Sequence, residues 1–274
     1  MASRATTMLA LLLAAVAVTC ARAQLHDNFY SESCPSVEDV VRKEMVRALL
    51  LAPSLAGPLL RMHFHDCFVR GCDGSVLLDS ANKTAEKDAQ PNQTLRGFGF
   101  VERVKAAVEK ACPDTVSCAD ILALIARDAV WLSAGHTIGT SHCFSFSDRL
   151  YNFTGMENPS DIDPTLEPQY MMRLKSKCAS LNDNTTLVEM DPGSFKTFDT
   201  DYFKLVSKRR GLFHSDGALL TDPFTRAYVQ RHATDAFKDE FFADFAASMI
   251  KMGNANPLTG SQGEIRKKCN VVNH

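Results

Sequence analysis

Between Arg61 and Ser75 the chain reads Arg-Met-His-Phe-His-Asp-Cys-Phe-Val-Arg-Gly-Cys-Asp-Gly-Ser, its densest run of reactive side chains. On a helix, Arg61 and His65 stand at i and i+4 and share a face. A base beside a fixed cation is equipped to split a peroxide: the base moves a proton between the oxygens and the cation stabilises the developing negative charge. His63 lies about 200° round the same helix from His65 and faces elsewhere. Asp66, Asp73 and Ser75 offer hard oxygens around a glycine-containing loop. Such a set suits calcium, which takes about six to eight oxygens, but it also reads as a solvated acidic turn. A His-x-His-Asp run also occurs in metal-dependent hydrolases. That reading leaves Arg61 and the flanking cysteines without a purpose.

The second segment is Ala134-Gly135-His136-Thr137-Ile138-Gly139. Small neighbours let a flat cofactor approach His136 closely. Haem iron is commonly held by one histidine whose other nitrogen meets a carboxylate. Asp216, in Gly211-Leu212-Phe213-His214-Ser215-Asp216, is a candidate for that carboxylate, although spacing alone does not select it.

The elements that must position these groups read as helices. Ser36 with Asp39, and Ser117 with Asp120, have capping-box spacing. Val40, Val41, Met45, Leu49 and Leu50 follow the first at helical intervals; Ile121, Leu122, Ile125 and Ala129 follow the second. Phe100, Val101, Val104, Ala107, Val108 and Ala111 share a helix face. So do Phe241, Phe242, Phe245, Met249 and Met252, with Gly253 expected just beyond the helix end. Strand patterns are scarce, and neither a repeat nor a low-complexity linker interrupts the chain. The class is all-α.

The chain has 274 residues, 45% of them hydrophobic, and a formal net charge of -2, so no basic surface for nucleic acid is indicated. Met8 to Val18 is an apolar run behind Arg4, too short to span a bilayer, and Ala21-Arg22-Ala23 resembles a signal-peptidase site. Residues 1–23 are therefore expected to be a signal peptide and 24–274 the domain; a membrane anchor is the alternative. Of nine cysteines, Cys20 would leave with the signal. The even number remaining argues for four disulfides, whose pairing the sequence alone leaves open. A structural zinc site is the competing use, but no Cys-x-x-Cys pair is present. Sequons begin at Asn82, Asn92, Asn152 and Asn184.

Taken together, these segments resemble the secretory plant peroxidases of class III. The matches include Phe29-Tyr30-x-x-x-Cys34-Pro35, the Arg61 to Ser75 block, Glu86-Lys87-Asp88, Arg96-Gly97-Phe98 and Val116-Ser117-Cys118-Ala119-Asp120-Ile121. They continue with Gly135-His136-Thr137-Ile138-Gly139, Asp148-Arg149-Leu150-Tyr151-Asn152-Phe153, Phe198-Asp199, Ser215-Asp216, Gly253-Asn254 and Gly263-Glu264-Ile265-Arg266. They run in family order over nearly all of residues 24–273.

The resemblance implies a multi-helix, single-domain haem-peroxidase fold with long loops. His65 would be the distal acid/base, Arg61 the distal cation and Phe64 a wall of the peroxide pocket. Asn92 would accept from His65, leaving its sequon buried and unglycosylated. His136 would be the axial ligand of haem b, with Asp216 its partner. Two calcium ions are implied, one on Asp66, Val69, Gly71, Asp73 and Ser75, the other on Thr137, Asp191, Ser194, Thr197 and Asp199. The implied disulfides are Cys34–Cys112, Cys67–Cys72, Cys118–Cys269 and Cys143–Cys178.

The implied activity is reduction of hydrogen peroxide with one-electron oxidation of small phenolic donors, serving peroxide catabolism and the response to oxidative stress. The expected product is a monomeric, secreted glycoprotein of the cell wall or vacuole, with neither nucleic acid nor membrane as partner.

One departure stands out. Relatives carry a long stretch between the Ala126-Arg127-Asp128 helix and the axial histidine, including a haem-edge loop where aromatic donors dock. Here Ser133 runs directly into Ala134. The fold is therefore expected to be incomplete on the proximal, substrate-access side, with weakened activity. The alternative is a non-catalytic, secreted, calcium-binding peroxidase-like protein.

Overall fold

The computed structural model describes residues 25–133, 139–156 and 160–273. Four helices build the larger core: α1 (Val37–Leu51), α2 (Ala56–Val69), α3 (Phe98–Ala111) and α4 (Cys118–Ser133). Val41, Met45, Leu59, Met62, Val101, Val104, Ile121, Leu122 and Ile125 interlock there. At about 25 cal/mol per Å² of apolar surface removed from water, such burial dominates the stability of the unit. It also fixes the rotation of α2, because seating Leu59, Met62 and His63 inside leaves Arg61 and Phe64 facing out.

The start of α4 is capped as the sequence indicates. Ser117 Oγ accepts from the Asp120 N–H at 3.0 Å and donates to Asp120 Oδ2 at 2.6 Å. The Tyr30 hydroxyl also donates to Asp120 Oδ2, at 2.6 Å, tying the N-terminal segment to this cap. At α1 the expected box does not form: Ser36 has helical backbone angles and makes no side-chain cap. An N-cap side chain reaches the N2 or N3 amide from an extended backbone, which Ser36 does not have. Gly253 is the last residue of its helix rather than the residue beyond it.

Past α4, the short strands β1 (Thr140–His142) and β2 (Leu187–Glu189) pair antiparallel, with Ser141 opposite Val188. Helices α5 (Asp148–Tyr151) and α6 (Pro168–Lys177) enclose a second cluster with Phe146, Leu150, Leu174 and Val188. A third cluster, of Phe203, Val206, Val229 and Phe241, joins α7 (Asp201–Ser207), α9 (Pro223–His232) and α10 (Lys238–Gly253); α8 (His214–Ala218) lies between α7 and α9 in the chain. The small sheet aside, the described residues are helical or loop, in keeping with the all-α expectation.

Disulfides join Cys34 to Cys112, Cys67 to Cys72, Cys118 to Cys269 and Cys143 to Cys178. The Cys118–Cys269 bridge spans 151 residues and fastens the C-terminal segment to α4. Among the described residues, no single helix is long and apolar enough to cross a membrane.

Candidate active site

Helix α2 carries both Arg61 and His65. Asn92 sits buried at the end of a 3-10 turn, Gln90–Asn92. Its Nδ2 donates to the Glu86 carbonyl at 2.7 Å, which orients Oδ1 toward His65 Nδ1, 2.5 Å away. A carboxamide oxygen only accepts, so Nδ1 must carry the proton and Nε2 keeps a bare lone pair. Burial is the main cause holding His65 below the ordinary imidazole range; the Asn92 bond raises it and the Arg61 charge lowers it. At neutral pH His65 is therefore a free base of fixed tautomer.

Arg61, one turn earlier, donates to Thr94 Oγ1 and to the Pro91 carbonyl, each at 2.9 Å. Two of five guanidinium donors are used, so the charge is anchored to the loop carrying Asn92 while other N–H groups stay available. The same loop thus fixes both distal groups. Thr94, the threonine of the Asn92 sequon, and Pro91 carry no sequence signal of this role.

His63 faces the interior, with Nδ1 3.8 Å from Cys67 Sγ. Its burial pushes the pKa down to about 4. The nearby sulfurs of Cys67 and Cys72 are joined to each other, so this trio is not a zinc site.

Phe64 and Phe68 stack at 4.2 Å between ring centroids and remain 41% and 68% exposed. With His65 and Arg61 they form an open face, apolar but studded with a base and a cation. That donor set suits a broad, flat, largely apolar group such as haem. His136 and Thr137 lie outside the described residues. Asp216 is buried at α8; Oδ2 accepts from the Phe213 N–H at 2.8 Å and Oδ1 from the Tyr202 hydroxyl at 2.6 Å. Burial and then the Asp216 charge push the Tyr202 hydroxyl well above its ordinary range, so it remains a donor. Sequence reasoning missed Tyr202, because a tyrosine in an amphipathic helix carries no mark of its partner.

Two oxygen-rich clusters accompany these groups. Asp66 is buried, accepts from the N–H groups of Gly74 at 2.9 Å and Val76 at 3.3 Å, and is pushed up to about 7, chiefly by burial, with Asp73 and Glu86 adding repulsion. The Ser75 hydroxyl beside it is buried without a partner. Gly71, at φ +124°, admits no side chain: a Cβ would fall 2.3 Å from the Asn256 carbonyl oxygen. Val69, the remaining member of this set, closes α2. In the second cluster Asp191 is buried with Oδ2 unpaired and is pushed up to about 7, by burial first and then by Asp199, Asp201 and Glu189. Ser194 Oγ donates to Asp199 Oδ2, and the Thr197 N–H donates to the Ser194 carbonyl. Buried, mutually repelling carboxylates with oxygens unpaired among the described residues, the Ser75 hydroxyl in one cluster and Asp191 Oδ2 in the other, are the donor set a hard divalent cation satisfies.

A helical frame with a base and a cation on one open apolar face is suited to peroxide chemistry beside a flat cofactor. The family model described as peroxidase matches residues 41–130 and 126–235. The chain is 69% identical to Peroxidase 1 of Oryza sativa subsp. japonica over 320 aligned positions, covering 97% of this chain and 98% of that protein. It is 47% identical to Peroxidase 3 of Arabidopsis thaliana (92% of this chain, 93% of that one) and 47% identical to Peroxidase 27 of the same plant (90% and 91%).

The chain belongs to the peroxidase family, in its plant class III branch. It is a haem peroxidase, an enzyme that reduces hydrogen peroxide with electrons from a reducing substrate. An alignment of 320 positions laid on 274 residues must leave a gap in this chain, and the two family-model segments meet at 126–130, beside the Ser133–Ala134 junction.

Proposed function

We propose that His65 and Arg61 cleave hydrogen peroxide over haem and that small phenolic donors supply the electrons one at a time. The observation that carries this is the His65–Asn92 pair, which leaves Nε2 unprotonated beside the Arg61 charge. His65 Nε2 takes the proton from the near peroxide oxygen and delivers it to the departing one. Arg61 compensates the negative charge that grows as the O–O bond lengthens. Haem, when bound, would supply the redox chemistry of its iron. His136 would hold that iron, with Asp216 accepting from its second nitrogen and the Phe64 ring bounding the cavity. Asp216 keeps its orientation through Phe213 and Tyr202.

One calcium ion is assigned to Asp66, Val69, Gly71, Asp73 and Ser75, and a second to Thr137, Asp191, Ser194, Thr197 and Asp199. Asp66 directly follows His65 and Thr137 directly follows His136, so ions held there would brace both histidines. The protein is read as a secreted, glycosylated monomer, with residues 1–23 as its signal peptide. Asn92 carries no glycan, its side chain being buried and bonded at both ends.

The test is His65→Ala measured against wild type. The variant is expected to keep its haem absorption while guaiacol oxidation falls by about 10²-fold or more. Equal turnover in the two proteins would overturn the assignment.

A further inference from the structure

The third core contains a histidine that peroxide chemistry does not use. His232 ends α9, is wholly buried and, among the described residues, has no hydrogen-bond partner on either ring nitrogen. Its ring stacks on Tyr228 at 4.1 Å, lies tilted at 60° to Phe203 and meets Phe241 edge-on. A buried unpaired imidazole costs free energy, so it calls for a ligand. Glu240 and Asp244 stand at i and i+4 on α10 and share the face toward it. One ligand atom from each of the three residues lies within 4.8 Å of the other two.

We propose that His232, Glu240 and Asp244 form a binding site for a divalent transition metal, zinc being the reference ion. Imidazole with two carboxylates fits zinc, manganese or cobalt; calcium prefers oxygen alone. Burial holds His232 below the ordinary imidazole range, so the ring is neutral at pH 7 and offers a lone pair. Both carboxylates have partners that can yield. Glu240 pairs with the Arg231 guanidinium at 2.6 Å, and Asp244 Oδ2 accepts from the Tyr228 hydroxyl at 2.9 Å. Arg231 lies 3.7 Å over the Phe237 ring, a contact that survives if Glu240 turns to the metal. A bound ion would tie the end of α9 to the first two turns of α10 and so clamp the third core.

The experiment titrates zinc into the full haem- and calcium-loaded chain by calorimetry, and cobalt by visible absorption, for wild type, His232→Ala and Asp244→Asn. Wild type is expected to take up one zinc at this site, with a melting temperature that rises on loading and a cobalt d–d spectrum. Each variant should weaken that binding by at least about tenfold, the lower bound for losing even an outer partner of a metal site. Asp244 is exposed, so its variant decides the matter if His232→Ala does not fold. Wild type without zinc uptake, or Asp244→Asn binding as wild type does, would overturn the proposal.

Discussion

His65 Nδ1 lies 2.5 Å from Asn92 Oδ1, and the opposite end of that carboxamide is held by the Glu86 carbonyl. The pair sets which imidazole nitrogen is basic. Asn92→Leu should leave the fold and haem uptake intact but free the imidazole to sample both tautomers. The reaction with peroxide, followed by stopped-flow absorption, should slow by at least about tenfold. That is part of the roughly 10²–10⁴-fold a positioned acid/base contributes. An unchanged rate would mean that the tautomer is fixed by something other than Asn92.

Calcium dependence should carry a pH signature. Asp66 and Asp191 have pKa values raised from 3.8 to about 7, first by burial. For a raised carboxylate, stability is fully present below 3.8 and is lost as pH rises through about 7, because ionising the buried group then opposes folding. A cation reverses this by pairing with the ionised form. The rise in melting temperature on adding calcium to chelated protein should therefore be largest near pH 8 and shrink as pH falls below 7. A calcium shift independent of pH between 5 and 8 would count against both clusters.

His63 predicts acid lability of a different origin. Burial lowers its pKa from 6.5 to about 4, so the native state refuses a proton that the unfolded chain accepts. Its contribution is complete above 6.5 and is lost as pH falls through about 4, amounting to at most about 3 kcal/mol. His63→Leu, similar in bulk, should flatten the loss of stability between pH 6.5 and 4 in denaturant titrations at fixed calcium. An unaltered slope would assign acid lability to other groups.

These cases show where the sequence is informative. The i, i+4 spacing of Arg61 and His65 puts them on one face because α2 is regular, and the apolar spacing of Leu59 and Met62 turns that face outward. The Ser117 cap was equally plain, since its partners lie within one turn. What could not be read are contacts made across the chain. Arg61 is anchored by Thr94 and Pro91, Asp216 by Tyr202 and the His232 ring by Phe203 and Phe241, and each depends on how separate elements pack. Ser36 shows the limit of a local rule, because the chain is already turning there, the Val37 N–H donating to the Cys34 carbonyl at 3.1 Å, and Ser36 has helical angles. The Ser133–Ala134 junction was visible only against the family resemblance, as no local pattern breaks there.

That junction has the largest functional consequence. Gly139 is pinned: its N–H donates to the Phe195 carbonyl at 2.9 Å, its carbonyl accepts from Met190, and Thr140 enters the sheet. Ser133 closes α4. His136 is three residues from each in the sequence, and three extended residues span at most roughly 11 Å. The family resemblance implies a long excursion before this histidine. Here Phe68 and Trp131 are 68% and 67% exposed, each leaving part of a large ring in water. A placement error of about 1 Å can cost about a hundredfold in rate. Haem occupancy, read as Soret absorbance per protein, and guaiacol turnover should both fall below those of a full-length relative such as rice Peroxidase 1. Inserting that relative's intervening segment between Ser133 and Ala134 should raise both. If the 274-residue chain already equals the relative in haem content and turnover, the short tether is long enough and the missing block is dispensable for chemistry.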